Sequence, residues 1–195
     1  QFTKGDYLLF LNNDTEMITE TALSELLGCC MREDVGAVGA KLLYSDDTVQ
    51  HAGVVIGFGG YAGHVNMGIK RDDYGYMVRA RINCNYSAVT AACMMTKKSL
   101  FEQVGGFDEQ FVVACNDVDY CLKIRELDKW VIYNAFSEWY HYESKSRGYE
   151  DTPEKLKRFE GEVEKFQKKW PEILEKGDPF YNPNFPINRA PFTWG

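Results

Sequence analysis

The 195-residue chain lacks the marks of several large protein classes. No two cysteines are spaced C-x-x-C. Cys29, Cys30, Cys84, Cys93, Cys115 and Cys121 stand mostly inside apolar runs, so buried free thiols in a reducing, cytoplasmic setting are expected rather than a disulfide frame or zinc knot. Positive charge is not in excess: 22 lysines and arginines against 29 acids leave a net charge of -7. That balance argues against non-specific duplex binding, which depends on a basic face, so no nucleic-acid partner is expected, while a local basic pocket for a small diphosphate stays allowed. No apolar run approaches the ~20 residues that cross a bilayer, and no stretch reads as a secretory signal or transmembrane segment. The first residue is not methionine, and QFTKGDYLLFL enters a strand almost at once, which reads as a cut made just before an element. Proline is sparse until the end, where five of the six occur from Pro171 onward.

What is present alternates between strand and helix patterns at a length that fits one domain. YLLFL, residues 7–11, is a continuous apolar run of the kind buried on both faces of a sheet under helices. A helix is expected over 19–32, capped by Thr19, with Ala22, Leu23, Leu26, Leu27 and Cys30 on one face. Strands are expected over 36–43, 49–56 and 89–96. A helix over 97–104 stops at Gly105-Gly106, a further helix covers 116–127, and strands cover 130–133 and 138–142. The glycine- and tyrosine-rich stretch 57–80 has no period, and a loop of that length is more often functional than idle. Thr152-Pro153-Glu154-Lys155 opens a long charged helix to about Trp170, followed by an extended proline-rich tail. The expected division is 1–150 as the catalytic, acceptor-side part and 151–195 as helix and tail packed on the same domain.

Three constellations carry chemical meaning. Asn12-Asn13-Asp14 follows the first strand directly, where ligands of open α/β sheets bind, and one carboxylate there suits an ion shared with a diphosphate. An Asx turn ending a strand is the plainer account. Asp117 and Asp119 lie in the first turn of a helix, where acids complement the helix dipole, but where a general base also needs only hydrogen-bond reach to a hydroxyl. His141 ends a strand and leads into a polar loop with Lys145 and Arg147, as a packed histidine or as a metal ligand beside a phosphate contact. His51 reads as structural, and His64, in the glycine-rich stretch, as a substrate-loop candidate.

In their order along the chain, LLFLNNDTE, GGFDE, NDVDYCLKIRE and YHYESKSRG resemble the second half of family 2 glycosyltransferases of the GT-A fold. The likeness is to bacterial rhamnosyltransferase-like enzymes of surface-polysaccharide synthesis, and it extends from Gly5 to the DPFYNPNF tail. It implies an α/β, GT-A-like mixed sheet flanked by helices, truncated at the N-terminus so that the first Rossmann-like half is missing, with a C-terminal helix and extended tail. It implies an inverting hexosyl- or rhamnosyl-transfer from a nucleotide-diphosphate sugar to a glycan or lipid-linked acceptor, with Mn or Mg as cofactor. Asp14 stands at the last position of the family's DXD motif, with asparagine at the first two, and would bind the metal with His141. Asp117 matches the catalytic base, with Asn116 in place of the usual Glu. Asp119 and Asp108 would position acceptor or helix. Asn12, Asn13, Thr90, Ala91 and Arg147 would bind the donor. The resemblance further implies poor nucleotide binding and inactivity of this part alone, self-association through an uncovered sheet edge, and peripheral association of the full protein with the inner face of the cell membrane. A non-catalytic carbohydrate-binding module of the same frame, using Tyr61, Tyr74, Tyr76 and Trp139, is the alternative from another class. A metal-dependent phosphoesterase is a further one, though it would call for a denser set of ligands.

Overall fold

A computed structural model describes residues 3–142 and 152–193. The chain runs β1 (Tyr7–Leu11), β2 (Thr15–Met17), α1 (Ala22–Cys30), β3 (Val35–Leu43), β4 (Val49–His51), β5 (Val54–Ile56), β6 (Ala62–His64), β7 (Cys84–Asn85), β8 (Cys93–Lys97), α2 (Lys98–Gln103), α3 (Asn116–Arg125), β9 (Trp130–His141), α4 (Pro153–Lys169) and α5 (Pro171–Lys176). Seven strands form one mixed sheet in the order β1-β8-β3-β9-β2, with β4 joined to β3 and β7 to β9. The β3–β9 pair is parallel and the others antiparallel. A small β5–β6 hairpin stands apart.

The period of two along β3 divides the core. Val38, Ala40 and Leu42 face α1, whose Ala22, Leu26 and Cys30 are wholly buried against them. Ala37 and Leu43 face the other side, where α3, the hairpin, Phe166 of α4, and Tyr181 and Phe185 of the tail close a larger core. Gly39 lets the layers approach, since a Cβ there would lie 2.5 Å from Val89. The tail is tied down by Asp178, whose carboxylate accepts the Ile56 and Phe180 amides at 2.7 and 2.8 Å.

Several expectations are corrected. Residues 7–11 form the strand read from the apolar run but are partly exposed, with Leu11 at 45%, because β1 is an end strand of the sheet path. Thr19 does not cap α1. The helix begins after Thr21, and the Thr19 hydroxyl instead accepts the Glu138 amide at 3.3 Å. The expected strand over 49–56 is two strands, broken where Gly53 takes φ 108 against the Tyr86 ring. The strand read from residue 89 begins at Cys93. The two strands at 130–133 and 138–142 are one, β9, whose register with β3 jumps from Asn134 to Glu138. The Asn134 side chain accepts the Phe136 and Ser137 amides inside that bulge. Thr152 does cap α4, accepting the Lys155 amide at 3.3 Å. All six cysteines are free.

Candidate metal and catalytic site

Sheet pairing brings the first and third constellations together. Thr15 lies opposite His141 in the β2–β9 ladder, and the Tyr142 amide donates to the Asp14 carbonyl at 2.8 Å. Asn12 Nδ2 lies 3.1 Å from His141 Nε2, and Asp14 Oδ1 lies 3.3 Å from the same nitrogen. Asp14 Oδ1 is buried and has no hydrogen-bond partner. A buried carboxylate oxygen left unsatisfied is costly unless a proton or cation meets it. The second ring nitrogen, Nδ1, lies 2.6 Å from Gln50 Oε1, the outer contact that orients a ligating imidazole. Adjacent ligands of an octahedral ion bound at about 2.1 Å stand about 3 Å apart, so this pair fits a shared divalent ion. No group of three or more metal-ligating side chains occurs among the described residues, so water or substrate oxygens would complete such a shell. Asn13 is exposed beside the pair.

The segment Thr90–Ala92 links this pair to the helix entrance. The Asn12 amide donates to the Ala92 carbonyl at 2.9 Å, and the Ala91 amide donates to Asp117 Oδ2 at 3.1 Å. Thr90 Oγ1 accepts the Ala92 amide at 3.3 Å, turning its hydroxyl inward to the loop. Asp117 Oδ1 accepts the Val118 amide at 2.9 Å. Each carboxylate oxygen has two lone pairs, so Asp117 keeps accepting capacity on both. The helix entrance is held in an uncommon backbone state, with Cys115 at φ 64. Glu162 of α4, 2% exposed, accepts the Val113 and Ala114 amides at 3.2 and 2.6 Å and fixes the approach to it.

Asp119 and Asp108 make their contacts with the end of α4. Asp119 is fully buried, with Oδ1 taking Lys169 Nζ at 2.7 Å and Trp170 Nε1 at 2.9 Å. Asp108 takes the same Lys169 at 2.7 Å. That ammonium, with the Gln110 amide, pulls the Asp108 carboxyl down to about 2. His64 Nδ1 lies 3.2 Å from the Gln50 carbonyl and 3.3 Å from His51 Nδ1. Arg147 and Lys145 fall outside the described residues. Of the aromatics, Tyr76 is stacked on Phe192 and Trp139 is buried with its indole N–H donating to Ser137 Oγ. Tyr74 is exposed, and Tyr61 packs edge-on against Phe159. Gln50 and Glu162 are absent from the sequence reading. The only signal for Gln50 was a polar residue inside an apolar run, and for Glu162 there was none, because α4 is charged throughout.

No family model matches the chain. Over 192 residues it is 44% identical to the uncharacterized protein y4gI of Sinorhizobium fredii, covering 98% of this chain and 21% of that protein. Over 187 residues it is 38% identical to the O-antigen biosynthesis protein RfbC of Myxococcus xanthus, covering 94% of this chain and 14% of RfbC. The chain thus spans about a fifth of the length of the first of these relatives and about a seventh of the second. Among solved structures it is similar to the mannosyltransferase PcManGT of Pyrobaculum calidifontis in complex with GDP-Man and Mn2+, with a TM-score of 0.50 and 14% identity over 89% of this chain and 48% of the other. It is also similar to GalNAc-T7 with UDP, GalNAc and Mn2+, with a TM-score of 0.58 and 11% identity over 95% of this chain and 36% of the other. The fold is that of the GT-A glycosyltransferases, as the motif order implied. The relationship to an O-antigen biosynthesis protein agrees with the surface-polysaccharide resemblance.

Proposed function

We propose that this chain, which has the GT-A fold, is the catalytic and metal-binding part of an inverting nucleotide-sugar glycosyltransferase of surface-polysaccharide synthesis. The observation that carries the proposal is the meeting of Asn12, Asp14 and His141 at one place, joined through the Ala91–Ala92 backbone to Asp117. Asp14 and His141 would hold a divalent Mn or Mg ion, and its chemistry there is to neutralise charge on the donor diphosphate. Arg147 would add a second positive contact to that group.

The reaction is a single displacement at the anomeric carbon. The acceptor hydroxyl oxygen forms the new bond as the bond from carbon to diphosphate oxygen breaks, with its electron pair leaving on the nucleoside diphosphate. The acceptor proton passes to Asp117. Thr90 and Ala91, with small side chains, leave room for the donor sugar, and Asn12 and Asn13 border it. Asp119 and Asp108 act at a distance, by fixing α4 against α3 and against the loop before it. A glycan or lipid-linked acceptor, a hexosyl or rhamnosyl donor, and work at the cytoplasmic face of the membrane complete the reading. Among the described residues no helix is long and apolar enough to cross a membrane.

In a polypeptide that contains this chain and turns over donor, Asp117→Asn should leave donor affinity unchanged and lower transfer by about 10²–10⁴-fold. Near-normal transfer by that variant removes Asp117 as the base. Calorimetry with UDP-, dTDP- and GDP-sugars, with and without Mn2+, identifies the donor class.

A further inference from the structure

Gln50 lies in β4 between Val49 and His51, and all three are buried. Its side chain meets one residue of β9 twice. Nε2 donates to the His141 backbone carbonyl at 3.3 Å, and Oε1 lies 2.6 Å from His141 Nδ1. The orientation of the amide follows from chemistry. A backbone carbonyl can only accept, so the NH2 group must face it, and the amide oxygen must then face Nδ1. An amide oxygen has no hydrogen to give. Nδ1 therefore carries the proton, and in a neutral imidazole Nε2 is left with the lone pair. That lone pair faces Asn12 Nδ2 at 3.1 Å and the unpartnered, buried Asp14 Oδ1 at 3.3 Å.

We infer that Gln50 is a positioning residue that selects the Nδ1–H tautomer of His141 and thereby makes the Asp14–His141 pair receptive to a divalent cation. In the other tautomer Nε2–H would donate to Asp14 and close the pair on itself. The inference rests on the metal reading of Asp14 and His141. Gln50 is itself held, because its own backbone carbonyl lies 3.2 Å from His64 Nδ1, which also reaches His51 Nδ1. Gln50 thus links His141 to His64, and His51 joins them through its contact with His64. On this account His64 supports the site through Gln50.

The test compares the wild-type chain with Gln50→Met and Gln50→Glu. Mn2+ affinity is measured by electron paramagnetic resonance, and the His141 tautomer by long-range proton–nitrogen correlation of the imidazole ring. Gln50→Met removes both hydrogen bonds at similar volume. It should weaken Mn2+ binding about 10–100-fold and populate the Nε2–H tautomer. Gln50→Glu keeps an acceptor for Nδ1–H and should stay within a few-fold of wild type with the tautomer unchanged. A folded Gln50→Met protein that binds Mn2+ as wild type does overturns the inference. So does a wild-type spectrum with the proton on Nε2, a result that needs no variant to fold. Wild-type protein in the Nδ1–H tautomer that binds no Mn2+ sinks the metal reading, while the tautomer assignment to Gln50 stands.

Discussion

His51 is fully buried, and its Nε2 atom has no hydrogen-bond partner. Burial, then charge on His64 and His141, holds its pKa well below the ordinary 6.5. The unfolded chain therefore binds a proton that the folded chain refuses once the pH drops below about 6.5. Stability from His51 is present above that pH and is lost as the pH falls toward the lower folded value. Urea unfolding from pH 7 to 5 should show this loss, at up to about 1.4 kcal/mol per pH unit for one group, and His51→Gln should flatten it. A variant with the same pH slope as wild type would mean that other groups set the acid limit. The sequence marks His51 as structural and His64 as a substrate-loop residue. That they face each other 3.3 Å apart lies beyond its reach, since Gly53 and the β5–β6 hairpin fold one back onto the other.

At the scale of elements, Lys169 at the end of α4 fastens that helix to α3 through Asp119 and to the preceding loop through Asp108. Lys169→Met leaves the wholly buried Asp119 with Trp170 and a longer Lys123 contact at 3.6 Å. A buried charge that loses its partner is costly, but Lys169 is 29% exposed and Lys123 remains, so a loss of about 2 kcal/mol is expected. Chemical denaturation measures it, and a change below about 0.5 kcal/mol would reduce the pair to the standing of a surface ion pair. The sequence places Asp117 and Asp119 together in the first turn of a helix, where α3 has them, but does not separate their surroundings. Two residues apart on a helix, they point to different neighbours: Asp117 to the Ala91 amide, Asp119 to α4 and Trp170. Elements with strong local signals were legible, among them the Thr152 cap and the glycine stop after α2. Those set by pairing were not. The single long β9 with its bulge, and the exposure of β1, follow from which strands lie alongside.

For the whole molecule, Phe166 of α4 is wholly buried in the same core as strands β3, β8 and β9. We therefore propose that residues 152–193 unfold together with 3–142. Phe166→Ala should cost about 3–5 kcal/mol while circular dichroism and tryptophan fluorescence still trace one transition. Two separated transitions would mark the C-terminal part as its own unit. By itself the sequence determined the helices α1 to α4, the strands β1, β3 and β8 within a few residues, and the order of four motifs, because local periodicity and turn chemistry are written in neighbouring residues. It also determined the balance of charge. Only the tertiary structure decided that Asp14 meets His141, that Asp117 is tied to Asn12 through Ala91 and Ala92, and that Gln50 stands behind the histidine ring. Those contacts join residues 26 to 129 positions apart, and their distances are set by sheet register, which no single segment encodes.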